Sequence, residues 1–287
     1  MQTHSLRASL RASLPCFLGR ASLATSFANY KFLIIYGLLF SIVKLASFYY
    51  GVIMSAMSYY CIDGIAITTL TYTMTLSRPV QRLSKKRPTA SLLGPIAVAS
   101  TLGVFVCAFI ALVSALLMMS SHPDYVKWPA EYANTADWWT LSDNWEGTVL
   151  YSVMFFFLLS SAGIFSFGYL YREPIYANWT LLINLGVLYV ITAVILLGET
   201  TYLSDLWHIA SRQFNKYNSV SPVWDKYQKN GGSTSPAMSF DFRFKLFILI
   251  MAFVSLAIFW QSQVMEGFIG NYIRQKYYTK KRIPPRY

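Results

Sequence analysis

Two ionisable residues, Lys44 and Asp63, lie inside otherwise apolar stretches of this chain, where charged groups often bind or conduct ions. A short turn around residues 51–56 separates the two stretches. Lys44 lies about ten residues before the middle of this turn and Asp63 about nine after it, so an antiparallel helical hairpin would hold both about 15 Å deep. That depth is near the middle of a hydrocarbon layer about 30 Å thick, where ionisable groups usually pair and often mark an ion or substrate path.

The composition predicts that membrane helices hold these two charges. Of the 287 residues, 55% are hydrophobic and only 13% are charged, whereas soluble domains carry about 25% charged residues. Six apolar stretches have about the 20 residues that a membrane helix needs. They are residues 30–50, 58–76, 91–119, 148–167, 179–197 and 244–265. The sequence therefore predicts an all-α fold, a polytopic bundle of six transmembrane helices within a membrane domain of residues 28–268.

The distribution of charge predicts the orientation of this bundle. Connection 77–88 holds five basic residues and no acid, and the tail 269–287 is also basic. Connection 120–146 instead holds five acidic residues and a single lysine. Because basic segments stay in the cytoplasm, we expect both termini there, with residues 1–27 as a basic cytoplasmic segment. The net charge of +12 is then explained by membrane topology, and no nucleic-acid partner is predicted.

Catalytic motifs are missing from the printed sequence. It contains no Gly-rich phosphate loop, no Asp-Lys-Thr-Gly-Thr phosphorylation motif, and no non-membrane segment longer than about 45 residues. The three cysteines and three histidines have no metal-ligand spacing. The sequence therefore predicts no catalytic residue, no metal and no cofactor in this chain, which alone should not hydrolyse ATP.

Several short motifs occur between about Gly19 and the end of the chain. No single motif identifies a family, but their order and spacing together do indicate one. The motifs are residues 19–27 with Tyr30-Lys31, Ile62-Asp63 with 67–69, 86–88 with 91–93, 144–149, 172–178, 244–246 and 265–266. In this order and spacing the chain resembles the C-terminal membrane half of a type-five P-type ATPase, of the B subgroup that includes lysosomal polyamine exporters.

The resemblance implies a role in transporting a cation or a polyamine. In the full-length family, ATP and Mg act in a cytoplasmic domain that precedes this region. Asp63 matches the position of the sixth-helix transport carboxylate, and the resemblance implies a path lined by Asp63, Lys44, Tyr36, Phe40, Phe48 and Tyr59. Phe40 replaces a polar residue of the family and Lys44 replaces an apolar one. These two replacements, with Ala56 in place of a second acid, are departures from the polyamine pattern.

Alternatives stay open at this point. Asp63 is either a transport carboxylate, with Lys44 as its built-in counter-ion, or half of a purely structural ion pair. The chain is either the membrane part of such a pump or a non-catalytic membrane scaffold derived from one. An ATP-independent transporter or channel is a third interpretation.

The expected partners are the lipid bilayer, a cation or polyamine, and a separate ATPase catalytic chain or other membrane subunits. Family analogy predicts an endolysosomal or vacuolar membrane. A mitochondrial membrane is the minor alternative, since the serine- and arginine-rich start of the chain is similar to a transit peptide.

Overall fold

The computed structural model describes most of the chain. The described residues are 2–80, 91, 93–132, 134, 141–142, 144–168, 171–198, 207, 222–232 and 238–278, with side chains described from Leu18 onward and not at 222–225. The predicted basic connection 77–88 from residue 81 onward, most of the connection 199–241, and the tail beyond residue 278 lie outside them.

The described residues are helical, as predicted, and their only β-structure is an isolated bridge between Pro79 and Arg172. The helices are α1 (Gln2–Tyr50), α2 (Ala56–Tyr59), a π-helical segment (Tyr60–Ile67), α3 (Thr68–Thr75), α4 (Pro95–Ser120), α5 (Trp145–Phe165), α6 (Trp179–Leu197), α7 (Pro222–Lys229), α8 (Phe240–Met265) and α9 (Phe268–Tyr278). We call residues 56–75, which comprise α2, the π segment and α3, the divided run.

Five helical stretches in the described part are long and apolar enough to cross a membrane. They are Leu18–Tyr50, Pro95–Ser120, Trp145–Phe165, Trp179–Leu197 and Phe240–Tyr277. The predicted second span coincides with the divided run, whose three pieces are too short to count singly. The protein is therefore an all-α integral membrane protein with five candidate spans and one further helical run.

Helix α5 forms the centre of the bundle. Its most apolar stretch is 94% buried, whereas the corresponding stretches of the other four candidate spans are 28–39% buried. Helices α1, α4, α6 and α8 all pack against it. The other spans therefore present most of their apolar surface outward, as expected for helices that face lipid.

Backbone contacts define two ends of the bundle. At the end we call the turn end, the amide of Ile53 donates to the carbonyl of Leu141 at 3.1 Å. At the opposite, bridge end, the amide of Val80 donates to Tyr171 at 3.4 Å and the amide of Glu173 to Arg78 at 2.9 Å. Since α5 begins close to Leu141 and ends close to Tyr171, the divided run extends between the same two ends as α5.

Arginine side chains bind the carbonyl ends of several helices. Arg172 donates to the carbonyl of Phe165 at 2.7 Å, Arg243 to those of Leu196 and Gly198 at 3.0 Å, and Arg274 to that of Met265 at 2.6 Å. The last carbonyls of a helix have no intrahelical partner and carry partial negative charge. Arginines at these positions therefore stabilise the ends of α5, α6 and α8.

Candidate cation site

A tight turn joins α1 to the divided run and places the predicted site residues on adjacent helices. Gly51 has a φ of 68°, and a Cβ added there would lie 2.6 Å from the Cβ of Ala130. Only glycine satisfies both the left-handed conformation and the close approach. The turn fixes α1 against the divided run, so that side chains about equally far from it can meet.

Asp63 lies in the π-helical segment, where its carboxylate accepts a hydrogen bond from Tyr36. The Tyr36 hydroxyl is 2.6 Å from Oδ1 of Asp63, and Asp63 is exposed on the surface of the chain. The Thr68 hydroxyl donates to the Asp63 carbonyl at 3.4 Å. π-Helical segments occur often at functional sites because the wider turn changes the backbone hydrogen bonding. Nothing in the sequence indicated this segment.

Lys44 has aromatic rather than acidic partners. Its Nζ donates to the Tyr59 hydroxyl at 2.5 Å and lies 4.4 Å from the centroid of the Tyr59 ring and 5.4 Å from that of Phe40. Both distances are within the range in which an ammonium is attracted to an aromatic face. The Lys44 ammonium is therefore bound by two rings and a phenol oxygen.

The structure does not join Lys44 to Asp63. Among the described residues, the salt bridges are His122 with Asp124 at 3.9 Å and Lys245 with Asp241 at 2.6 Å. The two residues therefore do not form an ion pair with each other in this structure. A sequence places two charges at similar depths, but it does not show which neighbouring tyrosine each one will bind.

Phe40 connects the two ends of the site. Its ring centroid is 5.8 Å from that of Tyr36 and 6.1 Å from that of Tyr59. The order of contacts is thus Asp63, Tyr36, Phe40, Tyr59, Lys44. We call these five residues the aromatic row.

Phe48, the sixth predicted residue, is 79% exposed, and no ring contact between it and the aromatic row is found in the described part of the chain. The structure thus brings five of the six predicted path residues together.

A second polar line, which the sequence analysis did not single out, connects α1 to α4 and α8. Lys31 donates to the Ser100 hydroxyl at 3.1 Å, which donates to Oε1 of Gln261 at 2.7 Å. Ser100 and Gln261 are 0% and 1% exposed. Polar side chains bonded across membrane helices contribute to association. The available signal was a serine within the apolar run of α4 and a glutamine within that of α8.

The aromatic row has the chemistry of a cation site in two parts. One part is a carboxylate with a phenol donor; the other is a pair of aromatic faces with a phenol acceptor. A carboxylate binds a cation by charge, and aromatic faces bind ammonium groups by cation–π attraction. No group of three or more candidate metal ligands occurs in the described part of the chain, and the row itself offers one carboxylate.

Comparison with known proteins gives related membrane transporters. The chain is 28% identical, in an alignment 185 positions long that covers 56% of this chain, to mouse (Mus musculus) "Probable cation-transporting ATPase 13A5". It is 29% identical over 171 residues, 59% of its length, to mouse "Polyamine-transporting ATPase 13A2". It is 28% identical over 170 residues, 59% of its length, to "Vacuolar cation-transporting ATPase YPK9" of Saccharomyces cerevisiae. No protein-family model matches the chain.

The matched regions cover 15%, 14% and 11% of these relatives, so the chain corresponds to a small part of each. That part is their C-terminal membrane region. The resemblance found in the motifs is therefore confirmed, and this chain is homologous to the C-terminal membrane part of type-five P-type ATPases.

Proposed function

We propose that the chain forms part of the cation path of a transporting P-type ATPase, with Asp63 as the carboxylate that binds the transported cation. The observation that carries this proposal is the surroundings of Asp63: a carboxylate in a π-helical segment, bonded to one phenol and otherwise uncovered. An ionisable group facing lipid is costly, and such groups usually face a cavity, a substrate path or other protein. An uncovered Asp63 therefore supports a cation path or further polypeptide beside this face.

The proposed topology has six spans and two cytoplasmic ends. Its support is the divided run, which extends between the turn end and the bridge end as α5 does. The basic connection then lies with the bridge end, in the cytoplasm. Labelling with a membrane-impermeant maleimide tests this arrangement in a cysteine-free background. Ser84→Cys should react only from the cytoplasmic side and Ser121→Cys only from the opposite side, whereas labelling of both from one side would contradict six spans.

The remaining parts of the proposal follow the relatives. The substrate is a cation or a polyamine, and the membrane is endolysosomal or vacuolar. ATP and Mg would act in a catalytic domain outside residues 1–287, on the same polypeptide or on a partner chain. Residues 28–268 are the membrane domain, flanked by basic cytoplasmic segments 1–27 and 269–287.

The native protein that carries this chain provides the test. An antibody against residues 279–287 would isolate it from membranes, and incubation with radiolabelled ATP should give a hydroxylamine-sensitive acyl phosphate whose breakdown the transported cation accelerates. Asp63→Asn should abolish that acceleration. The matched control is Asp241→Asn, because Asp241 is an exposed carboxylate bonded to Lys245 at the helix start. Absence of any acyl phosphate would refute the pump assignment; acceleration that survives Asp63→Asn would refute the assignment of Asp63.

A second candidate function is a non-catalytic membrane subunit derived from such a pump. The observation that favours it is Lys44, a resident cation beside the proposed path. The same isolation distinguishes the two candidates. A stable complex with other membrane proteins, no acyl phosphate and no cation flux would support the subunit.

A further inference from the structure

The Lys44 ammonium has the surroundings that a bound organic ammonium would have. Its distances to the rings of Tyr59 and Phe40 are 4.4 and 5.4 Å, and it donates to the Tyr59 hydroxyl. Lys44 and Tyr59 are only partly buried, so the two rings are reachable from the surface of the chain. A covalently attached primary ammonium thus occupies what is otherwise an aromatic site for a cation.

The alternative of a structural counter-ion does not fit these contacts. A buried lysine that stabilises a membrane helix is expected to pair with an acid or to extend to the interface. Asp63, the acid on the neighbouring helix, is instead bonded to Tyr36. The partners of Lys44 are uncharged, and the rings of Tyr59 and Phe40 are in contact with each other at 6.1 Å. The rings therefore do not depend on Lys44 to stay together.

We propose that Lys44 is a tethered occupant of an ammonium subsite formed by Tyr59 and Phe40, and that its removal opens this subsite to a free primary alkylammonium. With Lys44 in place, a substrate can use only the subsite of Asp63 and Tyr36. The subsite for one ammonium is thereby filled by the chain itself. This proposal deepens the proposed function, on which its consequence for transport rests, but binding at the aromatic subsite can be measured without transport.

Chemical rescue tests the proposal on the native protein that contains this chain. Lys44→Ala keeps Cβ and removes three carbons with the terminal ammonium, and n-propylammonium carries the same atoms. A ligand that binds only the folded state raises the unfolding temperature. We expect 10 mM n-propylammonium chloride, compared with the same concentration of sodium chloride, to raise the unfolding midpoint of Lys44→Ala by about 3 °C or more. The midpoint of the unsubstituted protein should not change.

The matched controls are two double variants, in which Lys44→Ala is combined with Tyr59→Leu or with Phe40→Leu. Each should lose most of the rise in the unfolding midpoint. An equal shift in the unsubstituted protein and in Lys44→Ala, or no shift in folded Lys44→Ala, would overturn the proposal. If Lys44→Ala does not fold, direct binding of radiolabelled n-propylammonium to Lys44→Ser tests the same proposal.

Asp63→Asn separates this proposal from the proposed function. Two results together would support the ammonium subsite and refute the cation path. The first is rescue of Lys44→Ala that persists when Asp63→Asn is added. The second is transport that Asp63→Asn does not change. Transport that requires Asp63, with no rescue of Lys44→Ala, would refute the tethered occupant alone. Rescue together with Asp63-dependent transport supports both.

Discussion

Asp63 and Glu146 are both carboxylates that accept a hydrogen bond from a tyrosine, but their surroundings are opposite. Glu146 is 1% exposed, and its Oε1 accepts from the Tyr125 hydroxyl at 2.7 Å and from the Trp128 amide at 3.0 Å. Asp63 is exposed and accepts from Tyr36 at 2.6 Å. The buried carboxylate is enclosed by the chain itself, whereas the exposed one remains available. The difference separates a carboxylate that stabilises the fold from one that can bind a cation.

The surroundings of Tyr125 support the structural role of Glu146. Tyr125 lies outside the membrane spans, and burial, followed by the nearby Glu146 carboxylate, raises its pKa. The phenol therefore keeps its proton at any physiological pH and remains a donor to Glu146. A permanent donor and a backbone amide together hold the carboxylate at the first turn of α5, where a negative charge also favours the helix start.

The largest expected effect comes from removing the enclosed carboxylate. Glu146→Leu leaves the Tyr125 hydroxyl and the Trp128 amide without their acceptor, and unsatisfied buried donors are costly, so stability should fall by about 3 kcal/mol. The measurement is equilibrium unfolding in detergent micelles. Glu131→Leu is the matched control, because Glu131 is exposed in the connection that precedes α5, and it should change stability by less than about 0.5 kcal/mol. Equal losses in both variants would remove the distinction between the two carboxylates.

A second comparison of the same kind concerns two cations. Arg243 is 4% exposed and binds two carbonyls at the end of α6, whereas Lys44 is partly buried against rings. Arg243→Met should lower stability by about 2 kcal/mol because it leaves those carbonyls unsatisfied. Lys44→Met should change it by less than about 1 kcal/mol. Thermal unfolding of both variants is the measurement, and a larger loss for Lys44→Met would mean that Lys44 is structural.

The turn that holds the aromatic row together gives a third expectation. Gly51→Ala places a methyl group against Ala130 in a left-handed conformation, so stability should fall by about 1–2 kcal/mol. In Gly37→Ala, which lies within α1, no atom is within 4 Å of the new methyl group, so the substitution should be neutral or stabilising. The free energy of unfolding of the two variants, measured by urea unfolding, tests this expectation. A neutral Gly51→Ala would show that the turn can relax.

The smallest expected effect compares the two tyrosines directly. Tyr125→Phe and Tyr36→Phe each delete one hydroxyl bonded to a carboxylate. Tyr125→Phe should cost about 1.5 kcal/mol because Glu146 is buried, and Tyr36→Phe less than about 0.5 kcal/mol. Unfolding midpoints provide the measurement. The comparison fails if the order is reversed.

The sequence predicted much of the fold because apolar runs of membrane length are a strong signal. Each of the five candidate spans overlaps a predicted one, and residues 179–197 match α6 at both ends. The first candidate span begins earlier than predicted, at Leu18, and the last extends further, to Tyr277. The start of α5 was placed too late, at residue 148, because the capping contact of Asn144 with the Gly147 amide at 2.6 Å is not visible in hydropathy. That shift moves Glu146 from a connecting segment into the first helical turn.

The site was predicted less completely than the fold. The common depth of Lys44 and Asp63 follows from counting residues along two helices, and the contacts with Tyr36 and Tyr59 agree with the residues predicted to line the path. The missing ion pair and the π segment could not be predicted, because one depends on the side-chain partners of Lys44 and Asp63 and the other on the backbone hydrogen bonds of the divided run. Hydropathy does not contain that information.

The enclosure of α5 has a consequence for the order in which the protein is assembled. Its packing partners include α1 and α4, which are synthesised earlier, and α6 and α8, which are synthesised later. Until α8 has been synthesised, the surface of α5 that α8 covers in the bundle lacks that partner. We expect this surface to face lipid during insertion and to become part of the core when α8 packs against it. The native core is thus completed by the last membrane-spanning helix of the described chain.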